Sequence, residues 1–192
     1  THSRESARCQ ALVNIETGST HRDGLDTAAE FIGARLKALG GEVEIVEAPA
    51  ADIYQLEGLP DRIGRAVRAT FRGTGSKRIL LLAHMDTVYP VGMLSKQPFR
   101  IDGNLAYGLG IADDKQGVAT IIHVVAMLQA LNARDYGVLT VLINGDEEIS
   151  SPGWRSTITR VAAEQDVVFS FEGGGTDGTL RLATSGIGAA YL

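Results

Sequence analysis

One histidine and several carboxylates stand just beyond apolar runs in this sequence. His84-Met85-Asp86 follows the run 79–83 (ILLLA), Asp146-Glu147-Glu148 follows 138–143 (VLTVLI), and Glu172 follows 167–171 (VVFSF). Asp113-Asp114 closes the glycine-rich stretch 108–112 and precedes a long apolar segment. Carboxylates gathered this closely repel one another unless a cation neutralises them. One imidazole with several carboxylates suits a hard or borderline cation such as zinc. His84 and Asp86 are two residues apart, so in extended chain they face the same way. Asp86 can then accept a hydrogen bond from the ring nitrogen that is not on the metal. Glu147 and Glu148 are neighbours that point to different sides, which suits one metal ligand and one proton carrier. Each group also has a plainer reading. His84 can be a loop histidine beside a turn aspartate, and Asp113 or Asp114 a helix cap. Glu147-Glu148 can be a solvated acidic turn and Glu172 an exposed loop acid.

The elements that must position these groups alternate between helix and strand, which predicts an α/β fold with a mostly parallel sheet. A first helix is expected over 3–14. Asp26 is expected to cap a second, in which Ala29, Ile32, Leu36 and Leu39 recur at helical spacing before Gly40-Gly41. Strands are expected at 42–47, 66–72 and 78–83, with a loop or edge excursion over 48–64 and a turn at 73–76. The runs 79–83, 138–143 and 167–171 read as strands buried on both faces. Helices are expected over 115–131 and about 153–164. If the three buried strands are parallel, their polar ends converge on the sheet edge where ligands bind in such folds. On the 115–131 helix, His123 lies opposite the face marked by Val118, Ile121, Val125 and Leu128, and is read as structural.

Composition narrows the function classes. Of 192 residues 44% are hydrophobic, enough for a sizeable core, and the net charge of −5 with no basic cluster argues against a nucleic-acid partner. No apolar run approaches a membrane span, and the first residues are polar with Arg4 and Arg8, so no secretory signal is read there. The single Cys9 rules out an internal disulfide and a thiolate cage. The segment GTGSKR lacks the spacing of a phosphate loop, and GLGIAD lacks the third glycine of a dinucleotide site.

Taken in order, His84-Met85-Asp86-Thr87-Val88-Tyr89, the segment 107–115 (YGLGIADDK) and Asp146-Glu147-Glu148 resemble the signature of the co-catalytic zinc peptidases of the aminoacylase and glutamate carboxypeptidase type. The segments 134–137, 170–172 and 184–187 are most like bacterial glutamate carboxypeptidases. The resemblance implies a three-layer sandwich and two zinc ions per complete active site. Asp113 would bridge both ions, His84 and Glu172 would complete one site, and Glu148 would serve the other. Asp86 would orient His84, and Glu147 would act as general base and acid. A cis peptide at Asp113-Asp114 is implied too, a conformation that needs support from its surroundings.

The substrate implied is a small peptide or N-acyl amino acid, with release of a C-terminal residue such as glutamate. A deacylase, desuccinylase or dipeptidase of the same family is the alternative, and an inactive metal-binding fragment is the alternative of another class. In the family a lid domain serves dimerisation and substrate recognition, and a later histidine completes the second zinc site. On that pattern residues 1–185 belong to the catalytic domain and 186–192 begin the lid, so the homodimer contact and the last ligand are expected outside this sequence. This chain alone is then expected to hold metal weakly. Two departures from the family are Gly173-Gly174-Gly175 after Glu172, where proline is common, and Gln116 in place of a glycine.

Overall fold

Seven strands and three helices form in the computed structural model, which describes residues 9–174. The strands are β1 (Glu42–Val46), β2 (Gly64–Arg72), β3 (Arg78–His84), β4 (Arg100–Asp102), β5 (Leu105–Tyr107), β6 (Val138–Gly145) and β7 (Val167–Ser170). The helices are α1 (Arg22–Ala38), α2 (Gln116–Ala130) and α3 (Arg155–Ala163). A short helical stretch also covers 9–13. Residues 3–8 of the expected first helix and the expected boundary at 185–186 lie outside the described residues.

The central sheet has the order β1-β2-β6-β3-β7. β3 is parallel to both β6 and β7, while β2 is antiparallel to both β1 and β6. Strand β2 alone therefore runs against the other four, and the sheet is mostly parallel as expected. Helices cover both faces. On one side Leu25, Ile32 and Leu36 of α1 and Ile121 and Val125 of α2 share a core with Val67, Leu81 and Val141. On the other, Trp154 and Val161 pack with Ala66, Leu80 and Leu142. This explains the uninterrupted apolar runs: Leu80 and Leu81 are adjacent yet enter different cores. Burying an Ile or Leu as fully as Ile32 and Leu36 contributes about 1.5–3 kcal/mol each. Trp154 also donates its indole N–H to the Gly64 carbonyl at 2.7 Å, which lets a polar atom sit in that core.

The structure differs from the sequence reading at three places. Helix α1 starts at Arg22, so Asp26 lies a turn inside it and caps nothing. Its carboxylate accepts from Arg22 Nε at 2.8 Å and Arg65 Nε at 2.7 Å, charge-assisted partners that a capping position would not give it. Strand β7 is not buried: Val167, Val168 and Phe169 are 42%, 41% and 53% exposed. Among the described residues it is an edge strand, paired with β3 alone. The hairpin β4–β5 is the third difference, since the turn signal Asp102-Gly103-Asn104 was not read as joining two strands. No helix among the described residues is long and apolar enough to cross a membrane.

Candidate metal centre and active site

The parallel register decides which side chains meet. His84 at the end of β3 pairs with Asn144, and Leu82 pairs with Ser170, which sets Glu172 level with His84 two residues further on. His84 is 1% exposed, and its Nε2 lies 2.9 Å from Asp113 Oδ1, 3.6 Å from Glu172 Oε1 and 4.0 Å from Glu147 Oε2. Asp113 arrives on the loop before α2, and the Asp113-Asp114 peptide is cis. That loop turns at Gly110, whose φ of 65° an L side chain rarely adopts, with Thr87 Cγ2 2.3 Å from where a Cβ would stand.

His84, Asp113 and Glu172 each offer one ligand atom, and these atoms all lie within 4.8 Å of one another. An imidazole nitrogen and two carboxylate oxygens form a donor set that fits zinc. Glu148 stands outside that group. It shares with Asp113 a neighbouring cleft of about 190 Å³. Glu147 and Glu148 thus diverge, the first toward His84 and the second toward the cleft it shares with Asp113.

The protonation balance of the protein groups fits a cation site. Burial alone pulls the His84 ring down, but Asp86, Glu172 and Asp114 outweigh it and push it up to about 10. Burial pushes Asp114 up to about 8 and, with Asp113, pushes Glu148 up to about 7. Burial also raises Glu147. The cluster holds protons that an isolated carboxylate or imidazole would release, and a cation can replace them.

Asp86, with no exposed surface, organises this cluster. His84 Nδ1 lies 3.3 Å from Asp86 Oδ1 and 3.1 Å from the Asp86 carbonyl, so Nε2 is the nitrogen left for a metal. The Asp86 carboxylate also accepts from the backbone N–H groups of Glu147 at 3.0 Å and Glu148 at 3.1 Å, and from Ser19 Oγ at 2.7 Å. One carboxylate therefore fixes the ring and anchors the turn that carries both glutamates.

Sequence reasoning missed Ser19 and left Asp146 and Asp114 without a supporting role. Ser19 reaches Asp86 because residues 17–19 run beside 87, with Thr87 N donating to the Thr17 carbonyl and Ser19 N to the Thr87 carbonyl. No sequence signal marks a contact between residues 67 apart. Asp146 accepts from Asn144 Nδ2 at 2.9 Å and Gly153 N at 2.7 Å, tying down both ends of the loop that holds Glu147 and Glu148. Burial pushes Asp146 up to about 6. Its place beside Glu147 was the available signal. Asp114 is fully buried, accepts from His84 N at 3.4 Å, and has an Oδ1 without a hydrogen-bond partner. That Oδ1 lies 2.1 Å from where a Gly117 Cβ would stand, so glycine is required there. His123 is half-buried on α2 and outside the ligand cluster, and Gln116 is exposed.

Known proteins resemble this chain in sequence and fold. The chain is 43% identical over 184 residues to carboxypeptidase G2 of Pseudomonas sp. (strain RS-16), covering 95% of this chain and 41% of that protein. It is 32% identical over 187 residues to a Mycobacterium tuberculosis protein provisionally named succinyl-diaminopimelate desuccinylase, covering 91% and 45%. The chain thus spans less than half the length of these curated relatives. The solved structure of the dipeptidase Dug1p from Saccharomyces cerevisiae superposes with a TM-score of 0.74 at 20% identity, covering 89% of this chain and 38% of that one, which shows a shared fold. The pattern of peptidase family M20/M25/M40 matches residues 80–185, a stretch that begins in β3 and includes all four proposed ligands. With more than half of its length matched, the chain belongs to peptidase family M20/M25/M40.

Proposed function

We propose that the protein is a two-zinc hydrolase of peptide or N-acyl amino acid bonds that releases a C-terminal amino acid such as glutamate. The observation that carries this reading is the convergence of His84, Asp113 and Glu172 within 4.8 Å, with Glu147 beside them. His84, Glu172 and Asp113 would hold one ion, and Asp113 and Glu148 would contribute to the other. When bound, zinc acidifies a water molecule and polarises the scissile carbonyl. The protein's residues supply the proton transfers and the orientation. Glu147 takes a proton from the attacking water as its oxygen bonds to the carbonyl carbon. As the C–N bond breaks, Glu147 returns that proton to the leaving amine. The upward shift from burial suits a group that must hold the proton between these steps. Asp86 keeps the His84 ring in one tautomer throughout.

Release of a C-terminal residue is preferred because carboxypeptidase G2 is the more similar of the two curated relatives named above, and glutamate is the residue implied by the resemblance of segments 134–137, 170–172 and 184–187. Desuccinylation is the second reading, favoured by the 32% identity to the mycobacterial protein. A homodimer through a domain following residue 185 belongs to the same proposal. The test is Glu147→Ala in the full-length protein. It is expected to keep its zinc and lose about 100- to 10,000-fold in kcat, the usual worth of a positioned acid-base group. Unchanged turnover would refute the role, and loss of zinc would make Glu147 a ligand instead.

A further inference from the structure

A second cleft opens beside the metal centre. It has a volume of about 500 Å³ and shares Tyr89, Gly108 and Ile111 as walls with the cleft that holds Asp113 and Glu148. Its size suits a group as large as a small drug molecule. Its lining combines apolar and aromatic surface with two cations, Lys96 and Arg100, and no carboxylate. In a chain of net charge −5, beside a centre crowded with acids, two cations in one cleft are a local reversal of sign. Arg100 lies over the Tyr107 ring at 3.6 Å, across the β4–β5 register that pairs the two residues. That stacking holds the guanidinium at the cleft before any ligand arrives. Its nearest acid, Asp102, is 3.9 Å away and highly exposed, a weak competitor.

The geometry points to this cleft as the subsite for the acyl portion of the substrate, selecting acyl groups with a planar or apolar body and an anionic end. This rests on the hydrolase reading above. The side of the scissile bond follows from the two glutamates. The leaving nitrogen must come within reach of Glu147, which lies toward His84 and is not part of the cleft wall. Glu148 is part of that wall, and the carbonyl-bearing portion of the substrate would run past Glu148 toward Tyr107. Tyr89, Ile111 and Tyr107 would cover its body, and Arg100 and Lys96 its terminal anion.

The test compares N-(4-carboxybenzoyl)glutamate with N-benzoylglutamate on the zinc-loaded full-length protein. The wild type is expected to prefer the carboxylated substrate in kcat/KM. In Arg100→Gln combined with Lys96→Gln that preference is expected to fall about tenfold, the worth of one exposed charge-assisted contact. Arg100→Lys is expected to keep part of it. An unchanged preference, or an equal loss on both substrates, would overturn the subsite. A preference change that appears only when the glutamate is exchanged for another amino acid would overturn its assignment to the acyl side. Titration with benzene-1,4-dicarboxylate against benzoate needs no turnover. The double variant is expected to bind the dicarboxylate about tenfold more weakly with little change for benzoate. If the wild type cleaves neither substrate, the reading of glutamate release fails and desuccinylation stands, and this titration still decides the cleft.

Discussion

Replacing Asp86 by Asn removes one charge and one acceptor from a group without exposed surface, and changes almost nothing in shape. Its cost can be worked from four contacts. Oδ2 accepts from Ser19 Oγ and Glu148 N, and Oδ1 accepts from Glu147 N and faces His84 Nδ1. An amide nitrogen is least harmful in place of Oδ2, because the Ser19 hydroxyl can rotate to accept. The Glu148 N–H then loses its partner, at about 1–3 kcal/mol for an unpaired buried donor. The remaining bonds lose their charge assistance, about 1 kcal/mol more. The expected loss is therefore about 2–4 kcal/mol, a fall of about 1–3 M in the urea midpoint at an unchanged slope. Zinc affinity is expected to fall about 10- to 100-fold, because the ring that presents Nε2 loses its orienting anion. Competition with a chelator of known affinity measures it. Ser19→Ala is the graded control: Asp86 keeps its carboxyl group and loses one donor, so zinc affinity is expected to fall less than tenfold. Wild-type zinc affinity in Asp86→Asn would refute the reasoning, since the ring would then be oriented by something else.

Other outcomes follow from the same contacts. In metal-free protein His84 is pushed up to about 10, so at pH 7 an ion held by His84 must displace its proton; calorimetry in two buffers of different ionisation enthalpy is expected to show at least one proton released per protein molecule on zinc loading, and none would contradict it. The raised values of His84, Asp114 and Glu148 all mean that the folded state binds protons more tightly than the unfolded one. Their contribution to metal-free stability is then expected to fall as pH rises, the carboxylate part going between the ordinary values near 4 and about 8 and the His84 part from 6.5 upward, while Lys115, lowered to about 8 by burial, opposes it above that; urea midpoints that rose between the ordinary carboxylate values and about 8 would reverse the sign. Gly117→Ala places a methyl 2.1 Å from Asp114 Oδ1, so a loss of about 1–3 kcal/mol and weaker zinc binding are expected in the same two assays. Trp154→Phe leaves the Gly64 carbonyl without its donor, and a loss of about 1–3 kcal/mol is expected in urea unfolding with the metal cluster intact.

What was legible in the residues was whatever a short window encodes. The apolar runs marked β3, β6 and β7, and three of the four proposed ligands stand one to five residues past such a run, while Asp113 closes a glycine-rich stretch before a helix. What was not legible depended on partners distant in the chain. Asp26 looked like a cap because Asp often is one, and only the fold brings Arg65 against it. Strand β7 read as buried because Val-Val-Phe is apolar, but burial depends on what lies alongside, and among the described residues only β3 does. Asp86 showed its partnership with His84 two residues away but not its hold on Ser19, Glu147 and Glu148.

That division also explains why the centre is built on strands. The pairings Leu82 with Ser170 and His84 with Asn144 fix three chain segments at one level of the sheet. Side chains alternate faces along a strand, so a one-residue slip of β7 would turn Glu172 away from His84. On the β6 side the register is held by the two cores, because Leu139, Val141 and Ile143 must enter one and Leu142 the other. The same alternation that fills the cores thus sets His84 within 4 Å of Asp113 and Glu172. In this fold the packing of the sheet and the assembly of the proposed metal site are one constraint, so a substitution that shifted the β3–β6 register would be expected to abolish zinc binding without touching a ligand.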